Sequence, residues 1–189
     1  MIHNINQITS ILTNWDWPLF FNTVHHLGSQ FNQPSWRMMK GEVVCMALEV
    51  ASNGDAKYVD EVGYDLIIGN TRIEVKTEKR IIKPNLSTNA IQLKNTRGEI
   101  QVFNQNFDYL LIANTQPTYI AAFCDWDTVY RNHQLTGDQI RCKLQEEDIH
   151  YLTSINGVDI DQSLNVNEGA LKDYIKNGIK EWIKEINGR

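Results

Sequence analysis

The stretch Gly63 to Lys76, GYDLIIGNTRIEVK, constrains the fold of this chain more than any other. Two short runs of aliphatic and β-branched residues, Leu66 to Ile68 and Thr71 to Val75, flank Gly69-Asn70, a pair of the kind that closes a β-hairpin. A two-residue turn fixes the register. Ile68 then pairs with Thr71, Ile67 with Arg72 and Leu66 with Ile73, which sets Asp65 opposite Glu74 with Cβ atoms about 4.5–5.5 Å apart. Lys76, two residues on, points to the same side as Glu74. Leu66, Ile68, Ile73 and Val75 line the other side, so the hairpin turns one apolar face to a core and one face bearing three charges to its surroundings. A slip of one residue would exchange the two faces.

Like charges directly opposite each other on a sheet are destabilising, so Asp65 and Glu74 need a reason to coexist. A hard divalent cation supplies one, because Mg²⁺ is commonly held by one or two carboxylates together with waters and phosphate oxygens. Lys76 beside them brings a point charge suited to a phosphate or an activated water. The competing reading is an exposed hairpin on which Glu74 and Lys76 form a weak surface pair.

Asp65, an eight-residue spacer and then Glu74-Val75-Lys76 on the second strand of a hairpin resemble the signature of the PD-(D/E)XK nucleases, the superfamily of type II restriction endonucleases and related DNA-cleaving enzymes. In that superfamily a helix before the hairpin often adds an acidic residue, and Glu42 in MMKGEVVCMALEVA matches that place. The resemblance covers about residues 37–130, in the order helix, hairpin, long segment and two further strands. Tyr64 stands where the signature's name has Pro. The resemblance implies an α/β, restriction-endonuclease-like core with a central mixed β-sheet flanked by helices, a Mg²⁺ cofactor that Mn²⁺ is able to replace, and cleavage leaving a 5′-phosphate. It implies that Asp65, Glu74 and the backbone carbonyl of Val75 hold the metal, that Lys76 serves the attacking water, and that Glu42 holds a second metal or its water shell.

The 189 residues suit one globular nuclease domain spanning 1–189, with a catalytic core at about 37–130. No apolar run reaches the length of a membrane span, and no basic region followed by an apolar stretch opens the chain, so a cytoplasmic protein without membrane contact is expected. Cys45, Cys124 and Cys142 are odd in number and far apart, which suits reduced, buried thiols. The five histidines lack metal-ligand spacing and read as structural or surface residues. A net charge of −5 argues against indiscriminate nucleic-acid binding. Seven basic residues against two acidic ones between Arg72 and Arg97 nevertheless give a local +5, placed to attract phosphates toward the hairpin.

Along the chain, residues 2–13 carry Ile2, Ile5, Ile8, Ile11 and Leu12 with a helical period, so a packing helix is expected there. Between Trp15 and Trp36, Pro18, Gly28 and Pro34 read as interruptions, leaving a short helix around Phe20 to His26 and then a loop. Arg37 to Ala51 reads as a helix with a stripe of Met39, Val43, Met46, Ala47 and Val50, and with Glu42 and Glu49 on one flank. Ser52 to Lys57, which includes a rival Asp55-Ala56-Lys57, reads as a loop around Asn53-Gly54. Phe107 to Asn114 and Tyr119 to Cys124 read as central strands of the hairpin's sheet, followed by a short helix over Asp125 to Arg131, a Gly137-Asp138 turn and strand candidates at Ile140 to Leu144 and Ile149 to Leu152. Asn167 to Ile186 is an amphipathic segment, expected as a helix that caps the sheet or packs on another subunit.

The amide-rich segment Arg80 to Asn106 is where DNA recognition is expected. Asn89, Gln92 and Asn95 have donor and acceptor pairs that read adenine; Lys94 and Arg97 suit guanine or phosphate, and Lys79, Arg80 and Lys83 extend the basic patch. The expectation is a Mg²⁺-dependent endonuclease acting on double-stranded DNA, of type II restriction character, with a homodimer matching a two-fold target. A structure-specific repair, resolvase or phage nuclease of the same superfamily, and a non-catalytic DNA- or partner-binding domain, are the alternatives.

Overall fold

A computed structural model of the protein describes residues 2–30, 33–61, 63–77, 85–86, 107–115, 119–136 and 139–155. Three helices come first: α1 (Ile5–Thr13), α2 (Trp17–Gln30) and α3 (Gln33–Ala51). Helix α1 starts at a capping box, in which Asn4 Oδ1 accepts from the Gln7 N–H at 3.0 Å and Gln7 Oε1 accepts from the Asn4 N–H at 2.9 Å. Asp16 caps α2 in a similar way, its Oδ1 accepting from the Leu19 N–H at 2.9 Å. Pro18 and Pro34 do not interrupt helices, as their sequence positions suggested. Each is the second residue of one, where no intrahelical partner for an N–H exists to be lost. Helix α2 therefore runs on through Gly28, and α3 starts four residues earlier than Arg37.

The strands are β1 (Lys57–Glu61), β2 (Tyr64–Ile68), β3 (Thr71–Lys76), β4 (Asn85–Leu86), β5 (Tyr109–Asn114), β6 (Tyr119–Asp125), β7 (His133–Thr136), β8 (Gln139–Cys142) and β9 (His150–Ile155), with helix α4 (Trp126–Arg131) between β6 and β7. Six form a mixed sheet in the order β1-β2-β3-β5-β6-β9, parallel only between β3 and β5. A smaller antiparallel sheet has the order β4-β8-β7. The chain is thus α/β with a central mixed sheet, and both long apolar runs are strands inside it, as their composition suggested. Lys57 departs from expectation: it opens β1, whose sequence KYVDE is too charged to read as a strand. Residues 167–186 lie outside the described residues.

Helices α1–α3 pack on one face of the six-stranded sheet, where Leu12, Phe20, Phe21, Val44 and Leu48 meet Leu66, Ile73, Leu111 and Phe123. On the other face Leu110, Ile112 and Cys124 meet Trp126 and Val129 of α4 and Cys142, Leu144 and Ile149. Layers on both faces explain why all six residues of β5 are buried and why its sequence is a continuous apolar run. Val43 and Ala47 of the expected stripe are buried, together with Val44, Cys45, Leu48 and Ala51, whereas Met46 is half-buried and Val50 exposed.

Two polar clamps hold the hairpin to this frame. Thr71 Oγ1 accepts from the backbone N–H of His3 at 2.8 Å and lies 2.8 Å from its ring Nδ1, while Tyr109 Oη donates to the His3 carbonyl at 2.9 Å. His3 thereby lies over the turn at Gly69, where φ is +59° and an added Cβ would come within 3.2 Å of its ring. At the foot of the parallel pair, the buried Asp108 accepts from the Arg72 N–H at 2.8 Å and from its guanidinium at 2.9 and 3.2 Å.

Candidate active site

The hairpin has the register that its sequence dictates: Ile68 pairs with Thr71, Ile67 with Arg72 and Leu66 with Ile73. One step further Asp65 Oδ2 accepts the Val75 N–H at 2.7 Å. The carboxylate of Asp65 is therefore anchored to the strand that carries Glu74 and Lys76. On that strand the Lys76 ammonium donates to Glu74 Oε1 and, at 3.3 Å, to the carbonyl of Val75. Asp65 and Glu74 are close enough for their carboxyl groups to hydrogen-bond when one is protonated.

The face that carries these charges is not open to solvent, contrary to the simplest reading of the hairpin. Side-chain exposure is only 5 % for Glu74 and 20 % for Lys76, which removes the exposed surface-pair alternative. The reason is non-local: β5 lies beside β3 with Leu110 opposite Glu74 and Ile112 opposite Lys76, and both belong to the second apolar layer. Burial pushes the Glu74 carboxyl above the ordinary glutamate range, Asp65 adds to this, and Lys76 works against it. Effective desolvation of a buried carboxylate costs several kcal/mol. Leu66, Ile68, Ile73 and Val75 on the opposite face contribute roughly 1.5–3 kcal/mol each, enough to hold the register against that cost.

Helix α3 packs on the opposite face of the sheet, yet one of its side chains feels these charges. The thiol of Cys45 is pushed well up, chiefly by burial and next by Asp65, with smaller contributions from Glu74 and Glu42 in the same direction and from Lys76 against it. All four site residues expected from the sequence thus lie within electrostatic reach of one sulfur atom. Cys45 itself was legible only as a buried thiol, since nothing local in the sequence links α3 to the hairpin. Glu49 acts elsewhere, where its Oε2 accepts from the Tyr58 N–H at 3.0 Å and fastens β1 to the helix.

The chemistry of the donor set suits a hard cation. Asp65, Glu74 and the Val75 carbonyl are all oxygen donors, two of them charged, and an ammonium already rests on Glu74 Oε1 and the Val75 carbonyl. Among the described residues no three His, Cys, Asp or Glu side chains converge as metal ligands, so Glu42 does not complete a three-carboxylate cluster. Mg²⁺ does not require one, because waters and phosphate oxygens commonly fill its shell. The expected DNA-contacting residues Lys79, Arg80, Lys83, Asn89, Gln92, Lys94, Asn95 and Arg97 lie outside the described residues. Among the described residues no helix is long and apolar enough to cross a membrane. The chain matches no family model and no curated protein.

Proposed function

We propose that the protein is a Mg²⁺-dependent endonuclease that hydrolyses phosphodiester bonds in double-stranded DNA, with a restriction-endonuclease-like core and type II character. The observation that carries this reading is the half-closed polar island of Asp65, Glu74 and Lys76 on the β2–β3 hairpin. A buried carboxylate set beside a second, half-buried one is a poor structural element and a good cation ligand. The sequence of elements around them, helix α3, hairpin β2–β3, parallel neighbour β5 and antiparallel β6, is the order that the superfamily resemblance implies.

In this reading Asp65, Glu74 and the Val75 carbonyl hold Mg²⁺, and Mn²⁺ is able to take its place. When bound, the ion supplies Lewis acidity at a phosphate oxygen and lowers the pKa of water in its shell. The chain's own groups do the rest. Lys76 orients the attacking water and stabilises negative charge that develops on the phosphate. The Val75 N–H, donating to Asp65 Oδ2, fixes the plane of one carboxylate, and Glu42 would hold a second metal or its water shell. A homodimer suits a two-fold duplex site.

The test is incubation of the purified protein with unmethylated phage DNA in Mg²⁺ or in EDTA, beside Glu74→Ala and Lys76→Ala. Discrete Mg²⁺-dependent bands that both variants lose are expected. A smear would retain the nuclease and discard sequence specificity, and undiminished cutting by Lys76→Ala would overturn the assigned roles. Intact duplex DNA in every lane, followed by intact branched DNA, would refute the nuclease reading.

A further inference from the structure

Two of the three oxygen donors proposed for the cation, Glu74 Oε1 and the Val75 carbonyl, receive hydrogen bonds from the same atom, Lys76 Nζ. An ammonium lying on a pair of donors meets the same electrostatic need as a metal ion, with one unit of charge where Mg²⁺ brings two. Without it, the buried Glu74 would lie beside Asp65 with no other cation of its own strand to offset it, because Arg72 is engaged by Asp108. Lys76 also lies closer to solvent than its partner: 20 % of its side chain is exposed against 5 % for Glu74. A lysine stem has the rotatable bonds to swing outward without moving β3.

We propose that Lys76 is a resident counter-ion of the carboxylate pair, which an incoming divalent cation displaces from Glu74 Oε1 and the Val75 carbonyl toward the position where a scissile phosphate would lie. This inference rests on the metal-dependent reading of the site and adds an exchange to it: cation entry and placement of the lysine are one event. The net charge then stays small at each stage. Asp65, Glu74 and Lys76 sum to −1 with the ammonium resident. A divalent ion at the donors brings the same three groups and the ion to +1, which suits an arriving phosphodiester.

The exchange has a signature that does not depend on activity. Titration of the full chain with Mn²⁺ alone at neutral pH, followed by calorimetry, should give at least about tenfold tighter binding for Lys76→Met than for the wild type, equivalent to about 1.4 kcal/mol. Lys76→Arg, which keeps the charge, should bind no more tightly than the wild type, and Glu74→Gln should lose the binding. Lys76→Gln serves as the neutral variant if circular dichroism shows that Lys76→Met does not fold. Equal or weaker binding by the neutral variant, beside a wild type that binds, would overturn the exchange and leave the metal site standing. Absence of Glu74-dependent binding in the wild type and the neutral variant alike would overturn the metal-dependent reading and this inference together.

Discussion

Glu74→Gln should make the protein more stable at neutral pH while removing the proposed cation site. The glutamine is nearly isosteric, so packing against the second layer is retained. At an effective dielectric of about 20, unit charges about 4 Å apart interact by roughly 4 kcal/mol, and here attraction to the Lys76 ammonium outweighs repulsion by the Asp65 carboxylate. The substitution forfeits this net attraction. The dominant influence on this carboxyl is burial. Relief of several kcal/mol of ion desolvation, less about 1–3 kcal/mol for burying the amide, leaves a net gain of about 1–2 kcal/mol. For a chain of 189 residues this raises Tm by about 2–8 °C. The sign of the pH dependence follows from linkage. A carboxyl whose folded pKa is raised binds more protons folded than unfolded, so the wild type loses stability as pH rises from the ordinary glutamate range through the folded pKa. The advantage of Gln should thus be smaller at pH 4 than at pH 8. Thermal melts without divalent ions at pH 4, 6 and 8 test this, and a Gln variant less stable than the wild type at pH 8, or a difference that ignores pH, would refute the reasoning. Adding Mg²⁺ should raise the wild-type Tm and leave that of the variant unchanged.

Asp108→Asn should cost about 2–3 kcal/mol in urea denaturation. It weakens a buried acceptor that holds the backbone and guanidinium of Arg72, and the half-open position of that guanidinium keeps the loss below the 3–5 kcal/mol typical of a fully buried pair. Cys45, Cys124 and Cys142 are buried with raised pKa values, Cys142 to about 12. A thiol reagent at pH 8 should therefore modify none of them in the native protein and all three once it is unfolded. Rapid labelling of the native protein would show that one of these thiols is reached by solvent.

The parts of the fold legible in the sequence are those fixed by neighbours in the chain. The hairpin register follows from a two-residue turn, and the strands at 109–114 and 119–125 from uninterrupted apolar runs. The burial of Glu74 was hidden because it depends on β5, more than thirty residues downstream along the chain, and on α4 and Leu144 covering that side. β1 was hidden by its charges, which an edge strand tolerates; its anchor is a side chain of another element, Glu49. The prolines misled because the same residue breaks a helix in its middle and suits it in its first turn. Glu42 and Cys45 could be placed near the hairpin only by resemblance or not at all, since the approach of α3 to β2 and β3 is a tertiary matter.

The hydrogen bond from Val75 to Asp65 changes how one common substitution must be read. Asparagine for aspartate is usually treated as erasing a charge and little else. At position 65 the amide oxygen of Asn can still accept the Val75 N–H, which preserves the strand end. The other terminal atom then becomes an NH₂ group with two hydrogens to donate. Asp65→Asn is therefore a reversal of polarity with the scaffold intact, and Asp65→Ala is the complementary case, in which the chemistry and the β3 anchor disappear together.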